Sequence, residues 1–217
     1  MDHLIFVLYL CVALPMIPLI IILPEKKSKL LIGYVLVGMT ICLNAGSVNS
    51  ALINFFGGDL LYVTSTISPV SEEILKALPV LYFALIFSDD KDTLLSISFA
   101  DGIGFAMLEN AYILTQNVGL VSPQWAITRV IGATLVHGAA TAAVGLGMSY
   151  VKKRRKLFFC GTFALLISAI IFHGIFNVFV QSKYNYVAFL FPSVVYAGVV
   201  CAVRLKKQSA PAKAKSK

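Results

Sequence analysis

About seven apolar stretches, each long enough to cross a hydrocarbon core, take up nearly all of the 217-residue chain. A helix needs roughly 20 residues to span a bilayer core about 30 Å thick. Stretches near 4–24, 30–55, 69–88, 93–115, 124–150, 157–181 and 185–204 meet that length. With 59% hydrophobic and 13% charged residues, the chain is more apolar than a soluble domain needs to be. The expected fold is all-α: a polytopic membrane protein of about seven transmembrane helices. Residues 1–204 are expected to form one helical domain, followed by a basic, disordered cytoplasmic tail over 205–217. The first stretch has no basic flank and no small-residue cleavage site, so it reads as a retained helix and not a signal peptide.

Orientation follows from the Lys and Arg residues. Of the 18, three lie in the first connection (Lys26, Lys27, Lys29), five in the run Lys152 to Lys156, and six after the last span (Arg204, Lys206, Lys207, Lys213, Lys215, Lys217). If seven helices alternate, these all fall on one side, which places the N-terminus outside and the C-terminus in the cytoplasm of a plasma-membrane protein. The net charge of +8 is thus a topology signal, and nucleic acid is not an expected partner. The expected partners are the bilayer, including anionic headgroups near the tail, and a substrate within it. Cys11, Cys42, Cys160 and Cys201 each sit inside a span without C-x-x-C spacing and are expected to be free, buried, inert thiols.

An ionisable group inside a membrane is a functional-site candidate by default. The candidates are Glu72, Glu73, Lys76, Asp101, Glu109, Arg129, His137 and His173, with Asn110 and Asn177 beside them. Helical spacing puts Lys76 three or four residues from each of the paired carboxylates, and His173 and Asn177 on one face. Depth brings them closer together. Glu109 lies roughly 9 Å below the outer end of its helix, His173 roughly 12 Å and His137 roughly 18–20 Å, at 1.5 Å per residue.

Plainer roles compete for each residue. Lys76 is expected to act as counter-ion to a carboxylate, Asp101 to cap or pair locally, and either histidine to bridge helices. Arg129, one turn into its helix, is expected to snorkel to the outer interface, where its replacement would do little. As a set, however, three carboxylates and two imidazoles are the groups that activate water and stabilise an oxyanion. They are also plausible ligands for a divalent metal. No serine or cysteine nucleophile motif and no H-E-x-x-H occurs. Carboxylate-activated water without a cofactor is the expected chemistry, with zinc as the alternative.

"EEILK" (Glu72, Glu73, Lys76), "FAMLEN" (Phe105, Glu109, Asn110), "HGAATAAVG" from His137 and "HGIFN" (His173, Asn177) resemble, in order and spacing, the motifs of the PrsW family of membrane proteases. That family is grouped with the CAAX prenyl endopeptidases, the bacterial self-immunity proteins and the anterior-pharynx-defective subunit of gamma-secretase. The resemblance covers about half the chain, a catalytic core at about 69–181. It implies a glutamate-dependent intramembrane endopeptidase that cuts a membrane-anchored protein, such as an anti-sigma factor, near its extracytoplasmic face. By matching positions, Glu72 or Glu73 would be the base for water, and Glu109 would stand where the CAAX enzymes have a histidine. His173 and Asn177 would form the oxyanion pair, and His137 a proton relay or polar wall. Lys76, Asn110 and Asp101 would support them. A non-catalytic scaffold like the gamma-secretase subunit, and a metal-dependent membrane protease, are the alternatives.

Overall fold

The computed structural model describes residues 3–57 and 59–209. Its elements are α1 (His3–Ile22), α2 (Lys26–Phe55), α3 (Leu60–Tyr62), a π-helical turn (Val63–Ile67), α4 (Ser68–Ile86), α5 (Lys91–Gln116), α6 (Pro123–Met148), a second π-helical turn (Leu157–Gly161), α7 (Thr162–Val180) and α8 (Asn185–Ser209). Seven long helices therefore occupy the seven apolar stretches, and among the described residues there is no strand. The main departure from expectation is before α4, where the chain is already helical from Leu60 and then widens into the π turn. The last helix runs to Ser209, past the expected start of the tail, and residues 210–217 of that tail lie outside the described residues.

Four helical stretches are long and apolar enough to cross a membrane on composition alone: Leu4–Ile22, Lys26–Phe55, Pro123–Met148 and Leu157–Val180. α4 and α5 are not among them, and both carry ionisable residues within their length: Glu72, Glu73 and Lys76 on one, Asp101 and Glu109 on the other. The side-chain distribution is inverted relative to a soluble protein. Lys76, His137, His173 and Glu73 are among the largest fully buried side chains, while Ile74, Leu78 and Leu85 of α4, the helix that carries Glu73 and Lys76, face outward. Burying charge and exposing aliphatic side chains is favourable only where lipid is the solvent.

Local signals set the helix ends. Asp90 caps α5 by accepting from the Thr93 N–H at 2.9 Å. The Thr93 hydroxyl, and then its N–H, hold the Asp90 carboxyl below the usual range. Ser122 accepts from the Trp125 N–H at 3.2 Å, with Pro123 in the first turn of α6. Beyond α2, Gly57 takes a φ of 81°, which only glycine adopts without strain.

α5 lies between α2 and α6 and packs on both through glycine. A Cβ on Gly38 or Gly104 would overlap main-chain carbonyls of the facing helix, those of Asp101 and Val35, and a Cβ on Gly102 would overlap the carbonyl of His137. Close backbone approach of this kind is how helices associate in lipid, where no hydrophobic driving force exists between them. It also fixes the height of His137 against α5. Gly102→Ala is expected to lower stability by about 1–3 kcal/mol, measured as an earlier thermal transition of the purified protein in detergent.

Candidate active site

Glu72 and Glu73 are neighbours on α4, so their side chains diverge by roughly 100° around the helix and meet different surroundings. Glu72 faces a cavity of about 840 Å³. Its Oε1 accepts from Asn49 Nδ2 at 2.7 Å, and Asn49 is oriented in turn by the Ser71 hydroxyl at 2.9 Å. Its Oε2 is buried and has no hydrogen-bond partner among the described residues. Glu73 turns into the bundle instead. Its Oε1 accepts from Lys76 Nζ at 2.6 Å and from His173 Nδ1 at 2.9 Å. Both members of the Glu73–Lys76 pair have 0% exposed side chains.

The hydrogen bonds assign the imidazole protons. His173 Nδ1 faces a carboxylate oxygen and therefore carries the hydrogen, which leaves a lone pair on Nε2. That Nε2 is buried, unpartnered among the described residues, and 3.7 Å from Glu72 Oε2. His137 is engaged at both nitrogens. Its Nδ1 lies 2.8 Å from the donor Lys76 Nζ, and its Nε2 lies 3.2 Å from Glu109 Oε2. Because an ammonium only donates, Nδ1 accepts and Nε2–H donates to Glu109. The two rings meet edge to face with centroids 4.5 Å apart.

Arg129 is where the expectation fails. It does not reach the interface: it is buried, lines the cavity, and donates from Nη2 to Glu109 Oε2 at 3.2 Å. The signal was present in the sequence. Glu109 lies seven residues before the end of α5 and Arg129 six residues after the start of α6, so an antiparallel pair joined by a short loop puts them at equal depth. Asn49 was also missed, because an amide two helices from the carboxylates carries no mark in the sequence.

The remaining candidates spread outward from this core. Asn177 lines the same cavity, but its Nδ2 donates to the Thr64 carbonyl at 2.9 Å and so ties α7 to the π turn that precedes α4. Asp101 makes no local cap or pair. Both its carboxylate oxygens are buried without a partner among the described residues, as is Asn110 Oδ1. Cys11, Cys42 and Cys160 are free thiols, but of these only Cys42 is buried as expected, Cys11 and Cys160 facing outward; the side chain of Cys201 lies outside those described.

The PrsW family of intramembrane metalloproteases matches residues 26–203. No curated protein and no solved structure matches the chain. The family's description names a metal and so corrects the expectation of a cofactor-free site. The residues fit one. Glu72, His137 and His173 each offer a ligand atom, and these atoms lie within 4.8 Å of one another. Two of them, Glu72 Oε2 and His173 Nε2, are the orphaned buried atoms. Glu73 behind His173 Nδ1 is the carboxylate that commonly orients a metal-binding histidine. His137 would have to exchange Lys76 or Glu109 for the ion. A match extending from α2 into α8 shows that the chain belongs to the PrsW family of intramembrane metalloproteases.

Proposed function

We propose that the protein is a multi-pass plasma-membrane endopeptidase that hydrolyses a membrane-anchored protein near its extracytoplasmic face, an anti-sigma factor being one such substrate. The observation that carries this reading is the pair of buried, unpartnered ligand atoms, Glu72 Oε2 and His173 Nε2, 3.7 Å apart beside a cavity of about 840 Å³. Seven spans with the N-terminus outside and the C-terminus in the cytoplasm accompany it. The cavity is walled by the C-terminal halves of α2, α5 and α7 and the first turns of α6, whereas the run Lys152 to Lys156 follows the far end of α6. The cavity thus sits toward the end of the bundle opposite the basic loop, which under the positive-inside rule supports an extracytoplasmic site.

The roles follow from the contacts. Glu72 and His173 would hold the ion, with His137 as third ligand; N and O donors of this kind suit zinc. When bound, the ion supplies Lewis acidity in a site sheltered from bulk water. Glu73 Oε1 holds the proton on His173 Nδ1, and Lys76 keeps Glu73 in place. Glu109, half-buried on the cavity wall, is the carboxylate placed to take a proton from the attacking water and pass it to the leaving amine. Asn49 fixes the rotamer of Glu72, and Asn177 holds the turn from which α4 starts.

The test is cleavage of single-span model substrates by the purified protein in liposomes, with the metal measured in the same preparation. About one divalent ion per chain is expected, with chelation abolishing cleavage and re-addition of zinc restoring it. A metal-loaded, folded preparation that cuts no single-span substrate would overturn the reading.

A further inference from the structure

The mechanism above leaves one buried charge on the cavity wall without a task. Arg129 is the only cation among the described residues lining the cavity, and its side chain is 7% exposed. Its Nη2 donates to Glu109, but Nε is buried and has no partner among the described residues. A guanidinium carries five N–H donors in a planar fork. The single oxygen that meets it here, Glu109 Oε2, is shared with His137. Among the described residues the guanidinium is therefore short of acceptors for its donors.

We propose that Arg129 determines specificity by binding a carboxylate side chain of the substrate, close to the bond that is cut; this rests on the protease reading and names a feature of its substrate. Distance sets the position. Two contacts of 3.2 Å to the same oxygen keep Nη2 within about 6.4 Å of His137 Nε2. An extended peptide advances about 3.3 Å per residue, so the acidic residue lies about two positions from the scissile bond. The chemistry selects a carboxylate over a carbonyl. It brings two acceptor oxygens in the geometry of the fork and a charge to match, whereas a carbonyl fills one donor and neutralises nothing. Docking of that carboxylate relieves Glu109 of Arg129 and leaves it to His137.

The experiment presents a library of single-span peptides, randomised over the ten residues at the outer end of the span, to the zinc-loaded protein in liposomes. Products are read by mass spectrometry. The wild type is expected to enrich Asp or Glu within three positions of the cleaved bond. Kinetics on matched peptides should give a Glu-over-Gln preference of about ten- to a hundredfold in kcat/KM, the size of a charged hydrogen bond. Arg129→Lys should keep a reduced preference, and Arg129→Gln should cut Glu and Gln peptides equally. A wild type that cleaves without acidic enrichment, or an Arg129→Gln variant that retains it, overturns the proposal. If Arg129→Gln does not fold, equal cleavage of Glu, Gln and Lys peptides by the wild type still overturns it. Cleavage of no library member removes the protease reading itself.

Discussion

Glu72→Gln is expected to reduce cleavage of a membrane-anchored substrate by roughly a thousandfold while the folded yield stays that of the wild type. The amide keeps the volume and keeps an oxygen for Asn49 Nδ2, so the 2.7 Å contact that fixes the side chain survives. What it removes is the anionic atom facing His173 Nε2 across 3.7 Å. Bound metal should fall together with activity, and His173→Ala should lose both as well. Glu73→Gln provides the contrast. Glu73 does not line the cavity, and its replacement leaves Lys76 buried with no anion beside it, so folded yield should fall along with activity. The measurement is a panel of these variants scored separately for cleavage, metal content and monodisperse yield. Full cleavage with full metal content in Glu72→Gln would remove Glu72 from the metal-holding set.

The contrast between two adjacent glutamates shows what the sequence could and could not convey. Spacing along one helix said that Lys76 was able to pair with either carboxylate, because i+3 and i+4 are equally good. The choice of Glu73 comes from α7, which brings His173 Nδ1 to the same oxygen a hundred residues along the chain. Helix positions were readable because each apolar stretch must span a fixed thickness, and the expected 69–88 and 124–150 correspond to Ser68–Ile86 and Pro123–Met148. The π turn over Val63–Ile67 was not readable, since it is held by partners elsewhere: Asn177 bonds its Thr64 carbonyl, and Gly174 leaves room for the Ser65 carbonyl. Arg129 was misplaced for a related reason. Its depth along α6 fits a snorkelling residue equally well, and only the facing Glu109 on α5 distinguishes a buried pair from an interfacial charge.

The largest effect on stability is expected at Lys76. Its ammonium is wholly buried, with Glu73 Oε1 at 2.6 Å, His137 Nδ1 at 2.8 Å and the Phe105 ring centroid at 4.8 Å. Lys76→Met fills nearly the same space but leaves Glu73 as an uncompensated charge in the buried interior of the bundle. Removal of one partner of a buried pair costs about 3–5 kcal/mol, enough to offset much of the stability of a domain. The variant should therefore insert but unfold far more readily in a denaturation series, with activity falling because fewer molecules are folded. A second substitution separates charge from packing. In Glu73→Gln combined with Lys76→Met no charge is stranded, so stability should recover most of the way and the two changes should be strongly non-additive. Activity should recover less. His173 Nδ1 would then donate to a neutral amide instead of a carboxylate, and loss of such an outer partner weakens a metal site by roughly 10- to 100-fold. Lys76→Met as stable as the wild type, or a double variant no more stable than Lys76→Met, would show that the ion pair does not hold this part of the bundle together.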